Sequence, residues 1–403
     1  MTAEPTAEPT SGDSGFPVYD FSPGEELPVL GNAHRLDEFQ DRHSFIRSTG
    51  AEKEFWVLTR ADEITEALRN PTVFSSSATV VTDPEPAYLW VPQMLDPPRH
   101  TAWRRLLAPY FSAGNMRRLE ESVQSRCEEL LDGMAERGRC DFLGEFAQRY
   151  PTSIFMDMFG LPISELDQFL EWERCILHVG PDEDPDRTIA ITAMFEVMGY
   201  FDELIKVRRA HPEDDILSDA LSWKIDDEDI PHQEMLSFCL LMFMAGLDTV
   251  TIQLGYSFWH LANHDEHRAR IVAEPEIIPS AVEELLRLYS FVPPARKIMR
   301  DIDFHGCPMK AGEMVYINTS AACRDPRAFD HAREAVLDRK PNQHLAFGTG
   351  PHRCVGASLA QRELRVALTE WHKRIPDYRI PEGFEVREKG VMHGIKSLHL
   401  EWN

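Results

Sequence analysis

The sequence predicts a mainly α-helical protein with minor β structure, built as one large domain. Apolar residues recur three or four positions apart through most of residues 100–288, which is the spacing of amphipathic helices. Short strand-like pieces separated by glycine and proline are confined to the region near Phe55 and to the chain after Pro293-Pro294. Residues 20–403 contain neither a Gly/Ser/Pro-rich linker nor an internal repeat, so we predict a single domain over 20–403.

The first 19 residues are predicted to be a disordered tail. They repeat Thr-Ala-Glu-Pro and continue Ser-Gly-Asp-Ser-Gly, which offers too few apolar side chains to offset the entropy of ordering. A strand is then predicted over 55–59, a short helix over 61–69 and a loop over 80–98, because five prolines interrupt that last segment. We call residues 80–98 the covering loop, since its apolar side chains would be costly to leave in water and are expected to cover something apolar: Tyr88, Leu89, Trp90, Val91 and Met94.

The rest of the chain is predicted element by element from the same periodicity. Helices are predicted over 100–111, 116–137, 142–159, 163–178, 186–210, 233–260, 264–274, 279–288 and 357–374. Strands are predicted over 296–299, 314–317 and 378–380.

The charge balance excludes two classes of partner. Against 67 Asp and Glu the chain has 42 Lys and Arg, a net charge of −25, which repels nucleic acid and an anionic membrane. The longest strongly apolar run, around 238–244, is shorter than the roughly 20 residues that span a bilayer, so we interpret it as a buried helix. The seven cysteines are scattered without a Cys-x-x-Cys pair, and the N-terminus lacks the features of a secretion signal. These observations predict reduced thiols and a cytoplasmic protein.

The segment with most chemical information is 347–356, Phe-Gly-Thr-Gly-Pro-His-Arg-Cys-Val-Gly, which we call the Cys loop. Its glycines and proline shape a tight turn directly before a predicted helix, and a thiol beside a helix N-terminus is stabilised as thiolate. Cys354 is therefore a candidate metal ligand or nucleophile, the alternative being a structural loop with a buried cysteine. Zinc fits poorly, because only His352 accompanies it nearby, whereas a nucleophilic cysteine with His344 or His352 as base stays open.

The Cys loop resembles, at every fixed position, the Phe-Gly-x-Gly-x-His-x-Cys-x-Gly haem-binding loop of the cytochrome P450 family. The resemblance implies the cytochrome P450 fold, with haem b held between a central helix and the Cys loop. It implies that the Cys354 thiolate is the axial iron ligand and that His352 meets a haem propionate. In this family the thiolate pushes electron density onto iron and favours O–O cleavage.

A second segment, Met244-Ala245-Gly246-Leu247-Asp248-Thr249, lies inside the long helix predicted over 233–260. Glycine, aspartate and threonine weaken an apolar helix, which predicts a local irregularity or a satisfied polar kink. The segment also resembles the family's Ala-Gly-x-Asp/Glu-Thr sequence over the haem. That resemblance implies that Asp248 relays protons and that Thr249 holds the hydrogen-bond network for dioxygen activation, as in monooxygenases supplied by electron transfer.

Three further resemblances complete the set. Glu284-Leu285-Leu286-Arg287 is similar to the family's Glu-x-x-Arg, which implies a structural role for Glu284 and Arg287. His100 and Arg104 are similar to a His-x-x-x-Arg helix, and Arg296 to the arginine that opens the strand after Pro293-Pro294. With His352, the residues implied as propionate ligands are His100, Arg104 and Arg296, since carboxylates at the edge of an apolar cofactor need cationic donors.

The resemblance covers roughly 20–403 and is nearest in pattern to the soluble bacterial type that includes the camphor monooxygenase. It implies a small to medium hydrophobic substrate, terpenoid, aromatic or polyketide-like, together with O2 and electrons from NAD(P)H through a reductase and a ferredoxin. An acidic ferredoxin is expected at a local basic face of Arg104, Arg105, Arg353 and Lys340. By position, the pocket is expected to be lined by Tyr88, Trp90, Val91, Leu241, Met244, Ala245, Phe291, Val292, Val391 and Met392.

Two other functions are weighed against a monooxygenase. A haem-thiolate binding or sensor protein without turnover would be favoured if Asp248 and Thr249 were absent, and both are present. A cysteine hydrolase predicts a colourless protein.

Overall fold

The computed structural model describes residues 10–11, 16–19, 26–49, 54–180, 183–389 and 394–403. Within these ranges helices dominate, and the predicted helices are found with small shifts at their ends. The α-helices are α1 (Gly31–Arg42), α2 (Ala61–Arg69), α3 (Arg99–Leu107), α4 (Ala113–Asp132), α5 (Arg149–Met158), α6 (Leu166–Glu173), α7 (Thr188–Ala210), α8 (Ile216–Ala220), α9 (His232–Asn263), α10 (Asp265–Ala273), α11 (Ile278–Leu288), α12 (Thr319–Cys323) and α13 (Ala357–Arg374).

The strands are short and scattered along the chain. They are β1 (Thr10–Ser11), β2 (Pro17–Tyr19), β3 (Leu27–Pro28), β4 (Phe45–Ser48), β5 (Phe55–Leu58), β6 (Phe74–Ser75), β7 (Arg139–Asp141), β8 (Lys224–Ile225), β9 (Glu228–Asp229), β10 (Ala295–Ile298), β11 (Ile302–Phe304), β12 (Cys307–Met309), β13 (Met314–Ile317), β14 (Arg387–Lys389), β15 (Gly394–Ile395) and β16 (His399–Glu401).

One mixed sheet joins distant parts of the chain in the order β1-β2-β4-β5-β13-β10-β6. Its centre is the parallel pair β5 and β13, in register Val315 with Trp56, and β13 pairs antiparallel with β10. The smaller sheets are β11-β12, β15-β14-β3, β16-β7 and β8-β9. Because β10 leads directly out of the turn after α11, this sheet fixes where Arg296 sits relative to the helical part.

Most helices pack around α9, which we call the central helix. It has the length and mean hydropathy of a membrane span, with a hydropathy of 1.9 over its most apolar window, yet 72% of that window is buried inside the protein. The helix is thus longer and more apolar than the run at 238–244 suggests. One apolar cluster on its C-terminal half includes Phe142, Phe258 and Trp371, and a second on its N-terminal half includes Phe155 and Phe238. The prediction of a buried helix is confirmed.

The structure differs from the sequence prediction in the tail, in one strand and in two helices, and it contains elements that the sequence did not predict, such as α1. The tail predicted as disordered contains β1 and β2, with Val18 paired to Arg47 of β4, while residues 1–9 and 12–15 lie outside the described residues. The strand predicted over 378–380 is a single bridge between Arg379 and Glu401, because one residue pair aligns there before the chain turns away. The helices predicted over 142–159 and 163–178 each contain a π-helical turn, at Leu143–Ala147 and Arg174–His178.

Candidate functional site

Cys354 stands apart from the other six cysteines. It is exposed, whereas five of the others are buried and Cys175 is intermediate. The sulfur is nevertheless surrounded by protein, as expected on the wall of a concavity. Burial raises the pKa of the Cys354 thiol, and this effect is opposed by the backbone N–H groups of Gly356 and Ala357 and by the positive charges of Arg104 and Arg353. The thiol therefore lies at the first turn of α13, where the sequence predicts it.

The Cys loop is held in one shape by its own backbone and by two neighbouring helices. The N–H of Cys354 donates to the carbonyl of Phe347 at 2.9 Å. Gly350 has φ +72°, and a Cβ atom there would lie 2.6 Å from the carbonyl oxygen of Leu68 in α2. From α3, Arg104 Nη2 donates to the Arg353 carbonyl at 2.7 Å. The loop glycine is therefore required by a close backbone approach as well as by its backbone angle.

The four residues predicted to hold propionates meet in one place. The rings of His100 and His352 stack with centroids 3.8 Å apart. Burial, with the positive charges of Arg296, His100 and Arg104, lowers the pKa of His352 to about 2, and burial with Arg104 lowers that of His100 to about 4. Burial lowers the pKa of Arg296 to about 10.

The two arginines of this cluster have no ion-pair partner among the described residues, and the lowered pKa values of the two histidines keep both imidazoles neutral near pH 7. His352 Nε2 is buried without a hydrogen-bond partner, and Arg296 forms a 2.7 Å bond to the carbonyl of Ala295 but no ion pair. The nearby acid is Asp96, whose oxygens already accept hydrogen bonds from the Ser75 hydroxyl at 2.5 Å and the Ser76 N–H at 3.0 Å. The cluster is therefore prepared for a bound anion, since buried donors are costly to leave unpaired.

The central helix carries an accessible spot in the middle of its apolar length. Ala245 is exposed, although Phe243 and Leu247 beside it are fully buried. The Thr249 hydroxyl donates to the Ala245 carbonyl at 3.0 Å. The predicted irregularity is absent, because the helix is continuous from His232 to Asn263.

Close packing gives the glycine of this segment its place. A Cβ atom on Gly246 would meet Phe155 at 3.1 Å. Met244 of the central helix and Val355 of the Cys loop both pack against the apolar cluster on the N-terminal half of the central helix. This brings the two motifs to one region of the interior.

Asp248 faces away from water. It is 1% exposed, and its Oδ1 lies 3.0 Å from Nε2 of His178. The imidazole N–H is not aligned with that oxygen, so the contact is not a well-formed hydrogen bond and becomes an ion pair when His178 is protonated. Sequence reasoning missed His178, in the π-helical turn after α6, and Glu173, the last residue of α6, because no motif marks them.

Glu284 and Arg287 are fully buried and form a hub. Two hydrogen bonds of 2.8 Å join the guanidinium to the carboxylate. Arg287 also donates to the carbonyls of Cys323 and Ala332 at 2.6 Å, and Arg339 donates to Glu284 at 3.0 Å. The pair thus links α11 to the segment that leads into the Cys loop.

The predicted pocket residues fall into three groups. The rings of Tyr88 and Trp90 lie 5.1 Å apart and are partly accessible, as are Met244 and Ala245. Val91 has no exposed surface and Leu241 only 9%. Val91 packs with Trp103 of α3 in the apolar cluster on the N-terminal half of the central helix, and its place on a pocket wall stays a prediction.

The remaining predicted pocket residues lie elsewhere or are not described. Phe291 stacks on Tyr256 toward the C-terminal half of the central helix, and the carbonyl of Val292 accepts a hydrogen bond from Thr319. Val391 and Met392 lie outside the described residues.

Comparisons with known proteins agree on one family. Residues 23–371 match the family model described as Cytochrome P450. The mycinamicin IV hydroxylase/epoxidase of Micromonospora griseorubida is 31% identical over 96% of this chain and 94% of its own. The methyl-branched lipid omega-hydroxylase of Mycobacterium bovis is 32% identical over 95% and 88%. The crystal structure of CYP101J2 superposes with a TM-score of 0.87 at 30% identity, covering 100% of both chains.

Proposed function

The chain belongs to the cytochrome P450 family and is a P450 monooxygenase, and from this premise we propose that it oxygenates a small to medium hydrophobic substrate with electrons supplied by a ferredoxin. The observation that carries the proposal is the position of Cys354 directly before α13. Its neighbour Val355 packs on the same apolar cluster as Met244 and Leu247 of the motif that contains Asp248 and Thr249. The family binds haem through a cysteine thiolate, and haem b is the form we propose.

The residues present fit such a group. Haem b has two carboxylates on an otherwise apolar ring, and the chain offers the cluster of His100, Arg104, Arg296 and His352. Among the described residues, its two guanidinium groups have no ion pair and His352 Nε2 has no hydrogen-bond partner. Cys354 would ligate the iron from the Cys loop. When bound, the haem supplies reductive activation of dioxygen, with the thiolate as electron donor to the iron.

The chain's own part in the chemistry is to exclude water and to place protons. The apolar residues around Ala245 keep bulk water from the reacting centre. Thr249 presents a hydroxyl on the accessible face of the helix, and the neighbouring Asp248 carboxylate is buried behind it.

Thr249→Ala should therefore leave the haem spectrum unchanged and divert reducing equivalents to hydrogen peroxide, measured as peroxide formed per NAD(P)H consumed.

The covering loop supports the substrate part of the proposal. Tyr88 and Trp90 are amphipathic rings in this loop, and Trp90 Nε1 is buried without a hydrogen-bond partner among the described residues. A substrate oxygen could accept that hydrogen bond while the rest of the molecule stays in apolar surroundings. Terpenoid, aromatic and polyketide-like compounds have this character, and the two named relatives act on mycinamicin IV and on a methyl-branched lipid.

The charge distribution supports a ferredoxin as the electron donor. Arg105 and Arg353 are exposed and form no ion pair among the described residues, although the chain as a whole has a net charge of −25. We propose that they belong, with Arg104 and Lys340, to the basic face on the thiolate side, which would attract an acidic donor. We propose that electrons from NAD(P)H enter here through a reductase and ferredoxin.

The deciding experiment is the absorption spectrum of the reduced, CO-treated protein after haem-replete expression. Thiolate ligation is expected to give the long-wavelength Soret band that separates P450 haem from histidine-ligated haem. Cys354→Ser should lose this band. A colourless protein, or a spectrum of the histidine type, would contradict the Cys354 assignment.

A second measurement narrows the substrate. A panel of terpenoids, aromatics and macrolides is screened for displacement of the iron-bound water, seen as a low-spin to high-spin shift. Trp90→Phe, which keeps the ring but removes the N–H, should weaken oxygen-bearing ligands by roughly tenfold and leave hydrocarbons unaffected. Equal weakening of both ligand classes would argue against the hydrogen bond.

A further inference from the structure

A second cluster of titratable side chains lies between the central helix and the end of α6. Of its three members, only Asp248 belongs to a motif recognised in the sequence. The other two members are Glu173, the last residue of α6, and His178, the last residue of the π-helical turn that follows. One carboxylate oxygen from each acid and one imidazole nitrogen all lie within 4.8 Å of one another. The three side chains therefore form one contact group that joins α6 and the turn after it to the central helix.

The π-helical turn is what brings Glu173 and His178 together. The Val179 N–H donates to the Arg174 carbonyl at 3.2 Å, which is the i to i+5 bond of a π-helix. Residues five apart then lie on one face, whereas in an α-helix they would diverge by about 140°. Such turns are rare and are often found at functional sites.

The three side chains of the cluster differ in their exposure to water. The His178 side chain is 38% exposed, whereas Glu173 and Asp248 are each 1% exposed. Both carboxylate oxygens of Glu173 lack a hydrogen-bond partner among the described residues, although they are buried. An ionised carboxylate in that position is costly, so a proton is the simplest partner that can satisfy it.

The pKa shifts of Glu173 and His178 agree with a proton held in this cluster. Burial, and then the charge of Asp248, raise the pKa of Glu173 well above its ordinary range. Burial acts to lower the pKa of His178 and Arg174 adds to this, but the contact with Asp248 outweighs both, and the net pKa is raised. The charged groups facing His178 are thus Asp248 from the central helix and Arg174 from its own turn. Glu173 faces Asp248.

We propose that His178 and Glu173 form the outer part of a proton route that continues through Asp248 to Thr249 and supplies protons for dioxygen reduction. The inference rests on the proposed function. His178 takes a proton from water at the surface, Glu173 stores one in the interior, and Asp248 passes it to the Thr249 network. Every group then regains the proton it gave, so the route is neutral over a cycle. Both outer residues act through Asp248 and are positioning residues for the reaction.

The chemistry balances with dioxygen as the acceptor. Dioxygen takes two electrons and two protons to give hydrogen peroxide, or four of each to give water. The electrons come from NAD(P)H through the ferredoxin, and the protons come from bulk water through the cluster. Slowing the proton route therefore slows electron consumption as well, because the two are taken up together.

The direct test needs no turnover. In infrared difference spectra of wild type minus Glu173→Gln, a band of a protonated carboxylic acid is expected near neutral pH, shifted in D2O. The bands of other buried acids whose pKa is also raised, Glu363 and Glu388, cancel in the difference. The imidazole of His178, followed by NMR, is expected to titrate above an ordinary histidine, and Asp248→Asn should lower its pKa. An absent band, or a His178 pKa unaffected by Asp248→Asn, overturns the proposal.

The kinetic test uses the haem-loaded protein with its electron donors and dioxygen as sole acceptor. Glu173→Gln and His178→Asn are expected to lower NAD(P)H oxidation by roughly tenfold or more and to raise the solvent isotope effect, with the CO spectrum unchanged. The wild-type rate should fall as pH rises through the pKa of His178, and His178→Asn should lack this limb. Two matched exposed variants, Asp167→Asn on α6 and His232→Asn on α9, should behave as wild type.

The outcomes separate the two levels of inference. If Thr249→Ala diverts electrons to peroxide while Glu173→Gln and His178→Asn keep wild-type rates and isotope effects, the outer route is wrong and the proposed function stands. A lowered rate with no change in isotope effect or pH profile likewise contradicts the route, since it indicates a structural role. Loss of the thiolate spectrum in the wild-type protein would instead contradict the proposed function.

Discussion

At the scale of single residues, the position and proton affinity of each group in the site depend on its immediate neighbours. Cys354 owes its position to the Phe347 carbonyl that fixes its N–H and to the N–H groups at the start of α13. His352 owes its low proton affinity to burial beside Arg296 and His100. In each case one side chain is prepared for a ligand by backbone geometry and charge that other elements provide.

The two left-handed glycines of the Cys loop allow a controlled test of this geometry. Gly348 (φ +65°) and Gly350 (φ +72°) have similar backbone angles, but only at Gly350 would a Cβ atom meet backbone, 2.6 Å from the Leu68 carbonyl oxygen. Gly348→Ala is expected to cost about 1 kcal/mol from the backbone angle alone. Gly350→Ala should cost about 3 kcal/mol and lower haem retention, because the loop must move from α2.

Denaturant unfolding of both variants, with haem content measured by absorbance, checks this prediction. Equal destabilisation of the two variants would show that the contact with Leu68 does not constrain the loop.

At the scale of elements, pairs of helices and turns position the chemistry. The central helix combines a buried acid, an exposed alanine and a threonine on successive faces, while Gly246 lets Phe155 of α5 approach it. Helix α3 carries His100 and Arg104 to the Cys loop. The π-helical turn after α6 turns His178 toward the central helix. Each of these placements needs two elements. A single sequence motif marks only one of them, so it does not reveal the contact between the two.

The Glu284 hub gives a prediction about how α11 holds the segment before the Cys loop. Glu284→Gln removes the anion that Arg287 and Arg339 share in the interior. Because two buried guanidinium groups are left without a counter-charge, a loss of about 3–5 kcal/mol in unfolding free energy is expected. Chemical denaturation measures it.

The control for this prediction is a glutamate in a surface pair. Glu203 pairs with Lys206 but its side chain is 73% exposed, so Glu203→Gln should change stability by less than about 0.5 kcal/mol. A similar loss in both variants would remove the hub from its structural role.

At the scale of the whole molecule, distant segments of chain are joined in single sheets. Strand β5 pairs with β13, and the C-terminal strand β16 pairs with β7. We propose that residues 20–403 behave as one domain for this reason. Far-UV circular dichroism and tryptophan fluorescence should then report the same unfolding midpoint, and two separate transitions would contradict it.

The charge pattern gives a second prediction at this scale. The net charge of −25 disfavours the approach of an acidic donor, and the basic face is where we propose that the donor binds. Arg105→Glu should weaken binding of the proposed ferredoxin by about tenfold and slow reduction of the haem, with the effect shrinking as salt is raised.

Arg209→Glu provides the matched charge reversal. Arg209 is exposed on α7, outside the basic face, and its reversal is expected to leave donor affinity unchanged. If both variants lose affinity equally, the donor responds to net charge and not to this face.

The sequence by itself determined the fold class, most helices and the two motifs at 244–249 and 347–356, because these depend on local periodicity and on residue types that chemistry requires. It missed α1, whose buried side chains include the polar Asn32, Asp37 and Gln40, since their partners are far along the chain; Asp37, for example, pairs with Arg324. It also predicts Val91 on a pocket wall, which stays a prediction for a residue without exposed surface.

Only the tertiary structure decided which charges meet. His100, Arg296 and His352 are separated by up to 252 positions along the chain, yet they meet in one cluster in which the charge of Arg296 has no ion-pair partner among the described residues. Glu173, His178 and Asp248 meet because a π-helical turn packs against the central helix. Burial and proximity of charges are properties of the folded chain, and periodicity cannot encode them.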